Sequence, residues 1–134
     1  FAGLPRPSGS FSADTKDTFY RVDYLRVSVD EVKRNFSRYE VETDHVEFVE
    51  GFFEETLPKL DPGPLSILRL DGDMYESTLT VLENLFDNVS PGGFVIVDDW
   101  GLQARDAVED FLASRNFEPD LIQIDSSSVY FQKA

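Results

Sequence analysis

The chain has 134 residues, a net charge of −14 at neutral pH and no cysteine. The missing thiols exclude a disulfide scaffold, a zinc–thiolate site and thiol catalysis. The negative charge argues against nucleic acid as a partner. No apolar run approaches the roughly 20 residues that cross a bilayer. We therefore expect a cytoplasmic globular domain without a membrane partner.

The first half of the chain carries few periodic segments. Residues 1–27 contain several Gly, Pro and Ser residues and are predicted to form a loop. A helix is predicted to begin at Ser28, which forms a capping-box pattern with Glu31 and precedes apolar residues at helical spacing. Residues 46–49 alternate in polarity and predict a short strand. A turn is expected over residues 58–64, which begin and end with proline.

The middle of the chain alternates between strand and helix signals. Residues 65–70 predict a second strand, and residues 76–88 predict a helix with leucines on one stripe. Residues 90–93 have the sequence SPGG and predict a tight turn. Residues 94–97 form a continuous apolar run, which is typical of a strand covered on both faces.

The last third predicts a helix followed by a hairpin. Apolar residues recur at helical spacing from Ala104 to Leu112. Residues 121–124 and 128–132 predict two strands, and the short connection makes them an antiparallel hairpin. The alternation of strands and helices indicates one α/β domain whose sheet is mostly parallel with an antiparallel end.

Aspartates follow two of the predicted strands at the point where each strand ends. Asp71 and Asp73 follow one strand, and Asp98 and Asp99 follow the next. Ligands bind at the carboxyl ends of strands in open α/β sheets, and a right-handed crossover places two such strands side by side. Four carboxylates so close together repel one another unless a cation or a shared proton compensates. The set therefore predicts a site for a hard divalent cation with oxygen ligands.

Each acid also has a structural interpretation. Asp98 or Asp99 could cap the following helix, Asp71 could belong to a turn, and Asp73 could cap the helix after it. We favour the metal site because the acids occur together at two consecutive strand ends. His45 is the single histidine and is interpreted as a surface or packing residue, so a Ser-His-Asp arrangement has little support.

Two longer segments make the chain resemble a known family. LRLDGDMYESTL at 68–79 and SPGGFVIVDDW at 90–100 closely resemble the macrocin O-methyltransferases, which are magnesium-dependent enzymes that methylate sugar hydroxyls of natural products. Other matching segments are FAGLPRP at 1–7, NFSRYEV at 35–41, VEFVEGFFEETLP at 46–58 and RDAVEDF at 105–111. The resemblance extends over nearly the whole chain.

This resemblance implies a Rossmann-like class I methyltransferase fold. It implies S-adenosylmethionine and Mg²⁺ as cofactors, and a small-molecule acceptor that presents a sugar or natural-product hydroxyl. Asp71, Asp98 and Asp99 match the family's metal ligands, and Asp73 matches its general base. The residues that match its cofactor site are Phe1, Ala2, Gly3, Gly51, Phe52 and Asp71.

The sequence departs from the family at its start. The family domain opens with a strand, a Gly-rich loop, a helix and a second strand, and this sequence begins after them. We therefore expect residues 1–134 to be the C-terminal part of a single methyltransferase domain. Exposed strand edges lead us to expect a homo-oligomer. The chief alternative is a non-catalytic or degenerate relative that acts through association. A receiver-like domain would need a lysine late in the chain, and Lys133 at the extreme end fits badly.

Overall fold

A computed structural model describes residue 1 and residues 3–134 of the chain. Within them the α-helices are α1 (Val29–Arg38), α2 (Phe53–Thr56), α3 (Tyr75–Leu85) and α4 (Ala104–Ser114). The strands are β1 (Leu65–Leu70), β2 (Val89–Val97), β3 (Ile122–Gln123) and β4 (Val129–Gln132). Short 3₁₀ turns occupy Ser12–Lys16, Phe19–Arg21, Asp23–Leu25, Leu57–Lys59 and Phe86–Asn88. None of the helices in this described part is long and apolar enough to span a bilayer.

The four strands form one sheet in the order β1-β2-β4-β3. β1 and β2 are parallel, with α3 as the crossover between them, and β4 is antiparallel to both β2 and β3. The α/β fold and the C-terminal hairpin are therefore confirmed. Leu70 is level with Val97 in the parallel pair, and the Asp98 amide donates to the Leu70 carbonyl over 2.8 Å. The residues that follow β1 and β2 consequently leave the sheet at the same edge.

The hydrophobic core lies between one face of this sheet and helices α3 and α4. Its central side chains, from both helices and two strands, are 0% exposed: Leu82, Val95, Val97, Val108 and Phe131. Burial of each such side chain contributes roughly 1.5–3 kcal/mol. This packing holds β1 and β2 rigidly beneath the edge where the acidic residues emerge.

The opposite face of the sheet is open in the described part of the chain. Ile67 on β1 is 57% exposed and Phe94 on β2 is 39% exposed. Tyr130 on β4 lies beside Phe94, with ring centroids 6.0 Å apart. The expectation that 94–97 is covered on both faces is therefore wrong for this chain, because α3 and α4 both pack on the other face.

The predicted strand at 46–49 is also wrong. These residues have no regular secondary structure, and Val46 and Val49 are exposed. Phe48 packs against other aromatic rings, with centroid distances of 6.3 Å to Phe1 and 6.0 Å to Phe36. An alternating pattern forms a strand only where a neighbouring strand satisfies its backbone groups, and no described segment pairs with this one.

The predicted tight turn at 90–93 lies inside β2 instead. Leu65 pairs with Val89, whereas Ile67 pairs with Phe94, so β2 has several extra residues between the two pairs. The chain accommodates them as an irregularity of the ladder, which is how a bulge bends a strand without ending it. Proline and glycine correctly indicated an irregular backbone at 90–93. Pairing with β1 on either side of these residues nevertheless makes them part of the strand.

The N-terminal segment is more ordered than its composition predicted. The Ser28 hydroxyl accepts a hydrogen bond from the Glu31 amide over 3.2 Å, which confirms the predicted start of α1. Before it, the chain forms 3₁₀ turns rather than an irregular loop. Asp14 and Asp17 in this segment are buried, at 1% and 7% exposure. Buried carboxylates require hydrogen-bond partners, and those of Asp14 are backbone amides at the start of α3.

Candidate functional site

Three carboxylates meet at the sheet edge where β1 and β2 end. Asp71, Asp73 and Asp99 each have a carboxylate oxygen, and these oxygens lie within 4.8 Å of one another. Asp71 directly follows β1, and Asp99 lies two residues beyond β2. The parallel register therefore brings them together, as the sequence predicted. These three residues are referred to below as the carboxylate trio.

Two members of the trio have strained backbones. Asp73 has a φ of 55° and Asp99 a φ of 54°, which places both in the left-handed region. This conformation costs an L-residue roughly 1–2 kcal/mol, although aspartate tolerates it better than most. Such strain concentrates at functional sites, where the surrounding structure maintains it. Glu40 and Asn116 share this conformation where α1 and α4 end, so the convergence of the carboxylates, and not the backbone, favours a functional interpretation of the trio.

The capping interpretations of Asp73, Asp98 and Asp99 are wrong. Gln103 occupies the N-cap position of α4, so neither Asp98 nor Asp99 caps that helix. Met74 occupies the N-cap position of α3 and makes no side-chain cap. The first amides of α3 donate to a distant residue, Asp14, rather than to Asp73.

Asp98 lies beside the trio but is not part of it. Its Oδ2 accepts a hydrogen bond from the Arg69 Nε, and its Oδ1 accepts one from the Ser128 hydroxyl over 2.9 Å. The Arg69 Nη2 also lies 3.3 Å from the Asp71 Oδ2. The expectation that all four acids converge is therefore corrected to three, because both carboxylate oxygens of Asp98 accept hydrogen bonds, one from Arg69 and one from Ser128. Arg69 and Ser128 were not identified from the sequence.

The surroundings of the trio raise the pKa of Asp73 and of Asp71. Burial is the largest cause that raises the pKa of Asp73 to about 7, followed by a hydrogen bond with Asp99 and the negative charges of Asp99, Asp71 and Asp17. Burial also raises the pKa of Asp71, although the nearby Arg69 opposes the change. A carboxylate that titrates near neutrality is suited to accept a proton from a substrate.

We expect the metal-free protein to become less stable as pH rises from about 4 to about 7. In this window the folded state binds the Asp73 proton more tightly than the unfolded state, whose carboxyl has the ordinary pKa of 3.8. Stability therefore falls as pH rises towards the folded pKa. Each unit of difference between the folded and unfolded pKa nominally corresponds to about 1.36 kcal/mol of stability. Solvent screens the half-exposed Asp73, so we expect the free energy of unfolding to fall by about 1–2 kcal/mol in total.

Urea unfolding at about pH 5 and about pH 8 measures this slope. The Asp73→Asn variant is the matched control, because it has no proton to lose at this position. We expect its pH dependence to be flatter than that of the unaltered protein. Equal slopes in the two proteins would show that Asp73 does not carry the effect.

The residues matched to the cofactor site lie together in a cleft next to the trio. Phe1, Gly3, Gly51, Phe52 and Asp71 all line this cleft, whereas Ala2 lies outside the described residues. Further lining residues that the sequence did not identify are Leu4, Pro5, Leu25, Phe53, Glu54, Gly72 and Ser77. Aromatic and apolar walls with a few polar groups are typical of sites for small organic ligands.

Gly51 has a specific steric role in this cleft. Its φ of 140° lies in a region that side chains rarely adopt, and an added Cβ would lie 2.6 Å from the Thr56 Cγ2. Any other residue would therefore strain the backbone and collide with α2. The glycine therefore lets the backbone lie against Thr56 at the point where Phe52 and Phe53 enter the lining of the cleft.

Comparison with known proteins relates this site to a family. The family model for macrocin-O-methyltransferase (TylF) matches residues 1–133. The 8-demethyl-8-(2,3-dimethoxy-alpha-L-rhamnosyl)-tetracenomycin-C 4′-O-methyltransferase of Streptomyces olivaceus is 44% identical over 109 residues, which cover 81% of this chain and 42% of that protein. The demethyldecarbamoylnovobiocin O-methyltransferase of Streptomyces niveus is 40% identical over 137 residues, covering 99% of this chain and 52% of that protein.

The structure of the O-methyltransferase NovP superimposes with a TM-score of 0.94 at 39% identity, covering 99% of this chain and 57% of that one. The chain thus spans about half the length of these relatives. The sequence match extends over both acidic strand ends and the cleft residues. This chain belongs to the macrocin O-methyltransferase family.

Proposed function

We propose that the protein containing this chain transfers a methyl group from S-adenosylmethionine to a hydroxyl of a sugar or a sugar-bearing natural product. The carboxylate trio beside the cleft is the observation that carries this proposal. The relatives described above are named O-methyltransferases, and one name specifies a 4′-O-methyltransferase of a rhamnosyl compound. A divalent ion, an acceptor hydroxyl and a methyl donor would meet where the cleft adjoins the trio.

The donor set of the site fits Mg²⁺. Carboxylate oxygens are the ligands that this ion prefers. Burial is the largest cause that raises the pKa of Asp71, Arg69 opposes the change, and the negative charges of Asp98 and Asp99 add to the rise. Asp71 and Asp99 would hold the ion together with Asp98, which lies close enough to Asp71 to contribute to that shift. When bound, the ion would stabilise negative charge on the acceptor oxygen.

Asp73 would act as the general base. It lies in the trio, and its pKa of about 7 allows it to hold a proton near neutral pH. An aliphatic hydroxyl is a weak nucleophile until its proton leaves. Asp73 would take that proton as the hydroxyl oxygen forms its bond to the methyl carbon and the bond from that carbon to the sulfonium sulfur breaks.

The cleft would bind the methyl donor. Phe1, Phe52 and the backbone at Gly3 and Gly51 provide apolar and close-contact surfaces, and Asp71 lies at the boundary with the trio. Because the cleft adjoins the trio, the donor in the cleft and the acceptor at the trio would be held in one fixed orientation. Such positioning accounts for much of the rate enhancement in methyl transfers of this kind.

Methylation of a panel of glycosides by the full-length protein tests the proposal. Mass spectrometry with labelled S-adenosylmethionine should detect a product in which one hydroxyl hydrogen is replaced by the labelled methyl group. EDTA should abolish the product and added Mg²⁺ should restore it. A folded, magnesium-loaded protein that neither binds S-adenosylmethionine nor methylates any glycoside would contradict the proposal and support a non-catalytic role.

A further inference from the structure

The first turn of α3 is capped by a residue from a distant part of the chain. The amides at a helix start need acceptors, and Met74 at the N-cap position has no side-chain oxygen to offer. The Tyr75 amide donates to the Asp14 Oδ1 over 2.8 Å, and the Glu76 amide donates to the Asp14 Oδ2 over 2.9 Å. Asp14 is only 1% exposed, so both bonds are shielded from water.

One of these bonds occupies the Tyr75 amide, which is the donor two residues ahead of Asp73. Aspartate side chains commonly accept from the amide two residues ahead, which for Asp73 is the amide of Tyr75. This chain contains such bonds from Phe19 to Asp17, from Gly63 to Asp61 and from Ser127 to Asp125, with lengths of 2.7, 3.2 and 2.9 Å. Asp73 differs from these aspartates because Asp14 already accepts from its local donor. Its carboxylate is therefore available to the trio.

We propose that Asp14 is a positioning residue that keeps the Asp73 carboxylate in the trio by capping α3 in its place. Asp14 need not contact a substrate or a metal ion in this role. The inference concerns the orientation of Asp73, and only its functional consequence rests on the function proposed above.

The neighbouring Asp17 gives independent support for this placement. The residues of a 3₁₀ turn repeat every three positions, so Asp14 and Asp17 project from the same side of the turn at Ser12–Lys16. Asp17 is 7% exposed, and its charge contributes to the electrostatic environment of Asp73. The turn therefore lies against the site, with one carboxylate on the helix start and the next one close to Asp73.

The Asp14→Ala variant of the full-length protein tests the proposal by crystallography. We expect the Asp73 carboxylate to turn towards the Tyr75 amide and to leave Asp71 and Asp99. An Asp73 side chain that keeps its position in the variant would overturn the proposal, whatever the function of the protein. If the alanine variant does not fold, Asp14→Asn is used, and there we expect the Asp73 carboxylate in two orientations because one acceptor oxygen remains.

The single-turnover rate of methyl transfer with saturating Mn²⁺ and S-adenosylmethionine gives the functional readout. Loss of a residue that orients a site residue lowers activity by about 10–100-fold, and we expect this for Asp14→Ala with a smaller loss for Asp14→Asn. The Mn²⁺ affinity should stay unchanged, because Asp73 is not one of the proposed metal ligands. Ser28→Ala is the matched control, since it removes the cap of α1 and Ser28 belongs to neither the trio nor the cleft. It should lower the melting temperature without changing the single-turnover rate.

The outcomes separate the two proposals. A melting temperature lowered in Asp14→Ala with an unchanged single-turnover rate would overturn the positioning role and leave Asp14 as a cap only. Absence of methyl transfer by the unaltered protein would contradict the proposed function instead. The crystallographic test of Asp73 orientation would still decide the positioning role in that case.

Discussion

Asp73→Asn is expected to lower the rate of methyl transfer by about 10²–10⁴-fold, the usual contribution of a general base. Asparagine preserves the size of the side chain but cannot accept the hydroxyl proton. Because Asp73 is proposed as the base rather than as a metal ligand, the variant should retain its affinity for Mn²⁺. The measurement is the single-turnover rate with saturating metal and donor, which separates the chemical step from binding.

Asp120→Asn is a suitable control for this experiment, because Asp120 is exposed and lies outside the trio. It removes the same charge without touching the site and should leave the rate unchanged. A rate in Asp73→Asn close to that of the unaltered protein would remove the base from the mechanism. A large loss of Mn²⁺ affinity in the same variant would make Asp73 a metal ligand instead.

Asp71→Asn is expected to weaken Mn²⁺ binding by more than about 100-fold. Loss of a residue that only hydrogen-bonds to a metal ligand already lowers metal affinity by about 10–100-fold, and Asp71 is proposed as a ligand itself. Asp71 is the acid that links the trio to Arg69 and to the cleft. Methyl transfer should fall with metal occupancy and recover in part at high metal concentration. Calorimetric titration of the metal-free protein with Mn²⁺ measures the change.

Asp98→Asn distinguishes two sets of ligands at this site. The family resemblance assigns the ion to Asp71, Asp98 and Asp99, whereas the metal-free geometry groups Asp71 and Asp99 with Asp73. We expect Asp98→Asn to weaken Mn²⁺ binding about as strongly as Asp71→Asn. Unchanged affinity in Asp98→Asn would show that its role is limited to the contacts with Arg69 and Ser128.

Much of the site could be predicted because its acids follow strands with clear patterns. The apolar runs at 65–70 and 94–97 and the helix between them require a parallel crossover, and this crossover brings Asp71 and Asp99 to one edge. The partner of Asp98 could not be predicted in this way. Arg69 lies in the same motif, but its ion pair with Asp98 depends on which strand is adjacent to β1.

The sequence by itself determined β1, α3, the second half of β2, α4 and β4, because each has a hydrophobic period that matches one secondary structure and a buried face. Only the tertiary structure decided that residues 46–49 form no strand, because no described segment pairs with them. Only the tertiary structure decided the role of Asp14, which caps a helix 61 residues away. Local patterns record which face of an element is apolar. They do not record which distant backbone groups need a partner, and that need is satisfied only when the chain has folded.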